Sequence, residues 1–305
     1  MVARRIILAL AGLLAAPLAQ ADDESAGVEP PRLSFTARIT ASDRHIALDG
    51  HDARVRVTLA RAARGRVDVT LPEFGWLGAG EPYPDRQYPE LALRVDGAPA
   101  RVRDTFAART SAGDITPLLR DAGVDAYAIA DTPPIVDLSH APARTRSALM
   151  AAGALRTDPD AGDLAAWSIR RRLRVTLPAA SRATLALRYR ARPAFALRPA
   201  TEARLDATLQ AHCTSAARVR VLAPGLMANG SVIVEETAFD VAAAADERDA
   251  PVALALHAGP DAPPTVYAFC GAAAASRVGV GSLAATGVVG GDGRVHVVAL
   301  VAPGR

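Results

Sequence analysis

Arg54-Val55-Arg56-Val57-Thr58-Leu59-Ala60-Arg61 and Arg66-Val67-Asp68-Val69-Thr70-Leu71-Pro72 decide the fold class. In both, apolar residues recur at every second position, the period of a strand with one face buried and the other in water. Pro72 has no N–H to offer a ladder and ends the second run. Leu91, Leu93 and Val95, with Val102 beyond them, flank Asp96-Gly97, a dipeptide suited to a tight hairpin because both positions tolerate positive φ. Residues 167–177 and 184–189, joined by a polar turn near Ser181, form a second pair of half-buried antiparallel strands.

Helical signals interrupt the strands. Asp114 or Thr116 can cap a short helix with Pro117 in its first turn, Leu118 and Leu119 on its buried side and Gly123 as its stop. A second helix is expected from Pro142 to just before Gly153, and a third over 202–211 with Thr201 as its cap. Strand character resumes at Val219 and Val221, at 232–234, at 252–256 and at 266–269. Asn229-Gly230 and Gly290-Gly291-Asp292-Gly293 are turn signals, the latter leading into a last strand over 295–301. The expected class is mainly β (α+β): two antiparallel β-sandwich-like units, with a short helical excursion between strands of the first. The expected layout is a leader at 1–21, a flexible stretch at 22–31, an N-terminal unit at 32–197 with a helical insertion at about 105–160, and a C-terminal disulfide-bearing unit at 198–305.

Arg4 and Arg5, an apolar run at 6–16 and Ala19-Gln20-Ala21 have the order of a secretory signal peptide cleaved after Ala21. The apolar run is shorter than the ~20 residues a spanning helix needs, so a periplasmic or secreted protein without a transmembrane segment is expected. All 35 basic residues are Arg, against 32 acidic ones, and losing Arg4 and Arg5 leaves a formal charge of +1. That balance carries no electrostatic footprint for nucleic acid. The densest basic run, Arg170-Arg171-Arg172 with Arg174, is interleaved with Ile169, Leu173, Val175 and Leu177, the pattern of a strand whose arginines face water.

Cys213 and Cys270 are the only cysteines and suggest one disulfide joining the end of the third helix to the end of a strand 57 positions later. No Cys-x-x-Cys pair is present to poise a thiolate, so the bridge is expected to be structural.

Leu71-Pro72-Glu73, the segment Leu91-Ala92-Leu93-Arg94-Val95-Asp96-Gly97-Ala98-Pro99 and Gly113-Asp114-Ile115-Thr116-Pro117-Leu118-Leu119 come first. Trp167, Arg188-Tyr189-Arg190, His212-Cys213, Leu222-Ala223-Pro224-Gly225 and Phe269-Cys270-Gly271 follow in that order. The series resembles the bacterial exported proteins grouped as domain-of-unknown-function family 4424, over nearly the whole chain after the leader. The resemblance implies an exported, disulfide-containing, β-rich protein, and brings no activity or catalytic residues with it. Leu226, Met227 and Ala228 stand where that family has an aromatic residue. The first strands also resemble vault and inter-alpha-trypsin type sandwich domains.

No catalytic constellation emerges. The six histidines, His45, His51, His140, His212, His257 and His296, show no paired ligand spacing, and no metal or cofactor is expected. His45 and His51 with Asp43, Asp49 and Asp52 are the densest group of potential ligands, and are expected to form a hydrated loop ahead of the first strong strand. No Gly-x-Ser-x-Gly elbow exists, and Gly279-Val280-Gly281-Ser282-Leu283-Ala284 lacks the βαβ context of a dinucleotide site. Phe74, Trp76, Tyr83 and Tyr88 cluster among glycines and prolines in a chain only 4% aromatic. They are the candidate binding residues: either they cap a sandwich core, or they offer a contact surface to a cell-envelope protein, peptide or glycan. The expected role is a non-enzymatic binding or structural protein. The alternative is a hydrolase using Asp131, Asp137 and His140 in the Pro-rich excursion.

Overall fold

The computed structural model describes residues 25–26, 30–35, 39–61, 65–71, 74–75, 91–124, 136–160, 162–191, 195–197, 202–211, 213–222, 224, 232–241, 247, 249–271 and 276–302. The chain runs β1 (Ser25–Ala26), β2 (Arg32–Phe35), β3 (Ile39–Asp49), β4 (Asp52–Arg61), β5 (Arg66–Thr70), β6 (Phe74–Gly75), β7 (Ala92–Val95), β8 (Ala98–Pro99), β9 (Val102–Thr110) and β10 (Gly113–Asp114). Next come α1 (Thr116–Asp121), α2 (Ala143–Ala151), β11 (Leu155–Asp158), β12 (Gly162–Ala165), β13 (Ser168–Thr176), β14 (Arg182–Arg190) and β15 (Phe195–Leu197). The remainder is α3 (Glu202–Ala211), α4 (Ala216–Leu222), β16 (Ile233–Asp240), β17 (Pro251–His257), β18 (Thr265–Cys270), β19 (Ser276–Val280), β20 (Ser282–Val288) and β21 (Arg294–Val301). The fold is mainly β, as the alternating runs require.

A seven-stranded sheet has the order β20-β17-β3-β4-β14-β7-β8, and every neighbour pair is antiparallel except β17 with β3. A second sheet has the order β10-β9-β13-β5-β2, with β6 also paired to β13, and a third runs β1-β15-β16-β21-β18-β19. The inward residues of all three meet in one core. Val55, Val57, Leu59, Leu185 and Leu256 of the first sheet face Val67, Val69 and Val175 of the second and Phe239, Phe269 and Val297 of the third. Strands from both sides of position 197 therefore share one sheet and one core, because β17 docks beside β3.

One expected hairpin forms, and the other expected pair resolves into a connection between layers. β13 pairs with β5 and β9, whereas β14 pairs with β4 and β7, so the turn near Ser181 carries the chain from one sheet to the other. Adjacent amphipathic runs need only bury the same face, and crossing the core achieves this as well as pairing does. Asp96 (φ 50) and Gly97 (φ 82) do make the tight turn, closing β7 on β8. Val102 then leaves to pair with Val175.

The three expected helices form. Asp114 Oδ1 accepts from the Thr116 N–H at 2.9 Å, Leu119 is buried, and Gly123 takes φ +72 just past α1. Thr201 and Asn229-Gly230 lie outside the described residues. The strand expected at Val219 and Val221 is instead α4. Ala216 and Val219, three apart on one helical face, are buried, while Val221 is 81% exposed. Together α3 and α4 place Leu205, Leu209, Ala216 and Val219 over the outer face of the third sheet. Helices α1 and α2 pack with Ile115, Leu119 and Leu149 around Trp167 and Ile169 at one end of the second sheet.

Cys213 and Cys270 are bonded, with Cα atoms 5.2 Å apart, tying the residue after the α3 helix region to the end of β18. Arg174 and Arg171 are neutralised by neighbouring strands: Arg174 Nε donates to Asp68 Oδ1 at 2.8 Å and Arg171 Nη2 to Asp104 Oδ2 at 2.6 Å. Arg171 departs from the water-facing expectation. It shares the parity of Ile169 and Leu173, lies over the Phe106 ring at 5.6 Å, and separates two apolar clusters. Its side chain is tolerated there because its charge is paired.

Candidate functional site

The stretch from Asp43 to Asp52 is β3, a two-residue turn and the start of β4, rather than a loop. Strand alternation sends Ile46, Leu48, Val55 and Val57 inward, and so turns His45, Ala47, Arg54 and Arg56 to the outer face. The same rule turns Ala186 and Arg188 outward from β14, Ala92 and Arg94 from β7, and Ala253 and Ala255 from β17.

Register lines these residues up across five strands. One row reads Ala253, His45, Arg56, Ala186, Arg94, and the next reads Ala255, Ala47, Arg54, Arg188, Ala92. Alanines give a floor with no side chain beyond Cβ, and the long arginine stems stand up between them. The result is a hollow of about 580 Å³ lined by both rows. The third sheet has α3 and α4 over its outer face. The buried residues of α1 and α2 cluster with the second sheet and those of α3 and α4 with the third.

The charges in the hollow are unevenly compensated. Arg188 Nη2 reaches Asp52 Oδ2 at 3.0 Å, and Arg94 Nη1 donates to the Gly97 carbonyl at 2.8 Å. Arg54 and Arg56 have no carboxylate partner among the described residues. Among the described residues, no carboxylate lines the hollow. Sequence reasoning missed this site because it counted charge over the whole chain. The signal was present in Arg54, Arg56, Arg94 and Arg188, which sit on the water-facing positions of three alternating runs that only strand order brings together.

The residues singled out from sequence are placed differently. Phe74 lies in β6 opposite Ile169, while Trp76, Tyr83 and Tyr88 lie outside the described residues. His45 belongs to the hollow, and His51, in the β3–β4 turn, approaches Glu235 at 3.8 Å. Asp137 Oδ1 accepts from the Ser139 N–H at 2.9 Å, and hydrogen bonding to the Ser139 side chain, then to its backbone, holds the carboxyl below the usual range. Asp131 lies outside the described residues, and Asp137 and His140 are exposed. Among the described residues, no three His, Cys, Asp or Glu side chains are grouped to hold a metal ion. Nor is any helix among them long and apolar enough to cross a membrane.

His296 on β21 is the other polar cluster. Its Nδ1 lies 2.5 Å from Glu236 Oε1 and its Nε2 lies 2.8 Å from Asp292 Oδ2. The hydrogen bond to Glu236, and then that to Asp292, raise its pKa against the opposing effect of burial. A carboxylate at each ring nitrogen favours the protonated imidazolium, which donates from both.

The fold and the hollow define a mainly β, disulfide-bonded protein with an arginine-rich sheet face. Comparison with family models, curated proteins and solved structures finds no match.

Proposed function

We propose that this is an exported, non-enzymatic binding protein of the cell envelope, and that its ligand sits in the hollow on the seven-stranded sheet. The observation that carries this is the hollow itself: about 580 Å³, within the size range of small-molecule sites, on the outer face of five adjacent strands. Export is supported by the leader ending at Ala21 and is compatible with the Cys213–Cys270 bridge, since disulfides persist in oxidising compartments. The motif order, which resembles that of domain-of-unknown-function family 4424, is in keeping with the same placement. The aromatic segment 74–88 precedes β7, whose Ala92 and Arg94 line the hollow, and is a second candidate contact for a partner protein, peptide or glycan.

The test is to incubate the exported protein with the low-molecular-weight fraction of the cell envelope and read retained mass by native mass spectrometry. Ala186→Trp, which fills the hollow from an outward position, serves as the comparison after circular dichroism shows it folded. A mass retained by the native chain and lost from Ala186→Trp supports the site. Equal retention by both, or by neither, rejects it.

A further inference from the structure

Arg54 and Arg188 stand directly opposite one another on adjacent strands. Like charges in that position oppose pairing of the strands. Arg56 lies two residues from Arg54 on the same face, and Arg94 lies across Ala186 from it. Strands are about 4.8 Å apart, so the backbones carrying Arg56 and Arg94 are separated by roughly 10 Å. Asp52 offsets Arg188, and the Gly97 carbonyl anchors Arg94 without cancelling its charge. The sheet thus holds a group of guanidinium charges around an alanine, with a hollow of molecular size between them and, among the described residues, no carboxylate in its lining.

We propose that the hollow binds a small ligand carrying at least two oxyanion groups, carboxylate or phosphate, that bridge Arg56 and Arg94 across Ala186. This rests on the reading that the hollow is the ligand site. A guanidinium presents a planar fork of N–H donors that matches either oxyanion in two parallel hydrogen bonds. The Ala186 floor lets such a ligand descend between the arginine stems. A second copy of this face would set arginine against arginine. An added peptide strand would seek a sheet edge, whereas this hollow lies mid-sheet, between β20 and β8.

The experiment is calorimetry on the exported protein at low salt with tripolyphosphate and propane-1,2,3-tricarboxylate, using acetate and sucrose as controls. At least one multivalent probe is expected to bind about tenfold or more tighter than acetate, and to lose about tenfold or more in each of Arg56→Gln and Arg94→Gln. The two probes separate phosphate from carboxylate ligands. Added salt is expected to weaken binding in the native chain more than in the double Gln variant. The proposal is overturned if neither probe outbinds acetate, or if the folded double variant binds as well as the native chain. If an envelope-derived mass is still retained, and still depends on Ala186, the oxyanion chemistry fails while the binding site stands. If no mass is retained either, the binding site itself fails.

Discussion

Arg44 and Glu247 form an ion pair in the interior, Nη2 to Oε2 at 2.5 Å, with side chains 3% and 10% exposed. Glu247 Oε1 also accepts from the Ala41 N–H at 2.7 Å, while Arg44 Nε donates to the Val241 carbonyl at 3.1 Å. Ala41 borders the irregularity in the β3–β4 register. The pair therefore ties that point of β3 to the chain leaving β16. Glu247→Ala, which strands a buried guanidinium, is expected to lower stability by roughly 3–5 kcal/mol, and Arg44→Met with Glu247→Leu to recover much of that. Urea titrations of the three proteins check it; a double variant no better than Glu247→Ala would show that the backbone contacts, not the charges, matter.

The disulfide closes a loop of 57 positions. Cys213→Ser with Cys270→Ser is expected to cost about 4 kcal/mol in the chain-entropy treatment. A loss of unfolding free energy below about 1 kcal/mol in urea titration would mean that the α3 and α4 packing alone fixes this corner.

His296 sets a pH dependence. Its pKa is raised above the ordinary 6.5 in the folded chain, chiefly by the hydrogen bond to Glu236, so its contribution is fully present below 6.5 and declines as pH rises through the folded value. The urea midpoint is expected to fall as pH is raised above 6.5, and His296→Asn to flatten that fall. Parallel pH profiles for the two proteins would refute the assignment.

Core and surface positions on strands consecutive in the chain should differ sharply. Leu185 is fully buried, and Leu185→Ala is expected to cost roughly 2–5 kcal/mol. Arg174→Ala, which loses only the partly exposed pair with Asp68, is expected to cost about 1 kcal/mol or less. Thermal or urea denaturation ranks them, and a larger loss at Arg174 would contradict the layer assignment.

Gly279 lies where a Cβ would come within 2.6 Å of the Ser282 carbonyl oxygen, whereas at Gly291 nothing comes within 4 Å. Gly279→Ala is therefore expected to destabilise the β19–β20 corner, and Gly291→Ala to be close to neutral. Equal midpoints for the two variants would remove the steric account of the glycine at 279.

The strands were legible because burying one face imposes a period of two that Val55, Val57 and Leu59 display openly. The expected strand at Val219 and Val221 failed on this same criterion. Two valines cannot distinguish a period of two from one helical turn, and only the docking of Ala216 and Val219 on the third sheet selects the helix. Part of the site was equally hidden. The sequence shows that Arg54 and Arg56 face water, but it does not show which strands lie beside them.

By itself the sequence determined the mainly β class, the positions of α1 to α3 along the chain, and the Asp96-Gly97 turn, since each depends on residues a few positions apart. Tertiary structure alone decided that β13 and β14 belong to different sheets, that β17 lies parallel to β3, and that four arginines from three strands surround one alanine hollow. The physical reason is that side-chain alternation specifies which face of a strand is buried and leaves its neighbours open. Neighbours are chosen by how all the apolar faces fill one core together, and the opposite face inherits whatever charges that choice aligns.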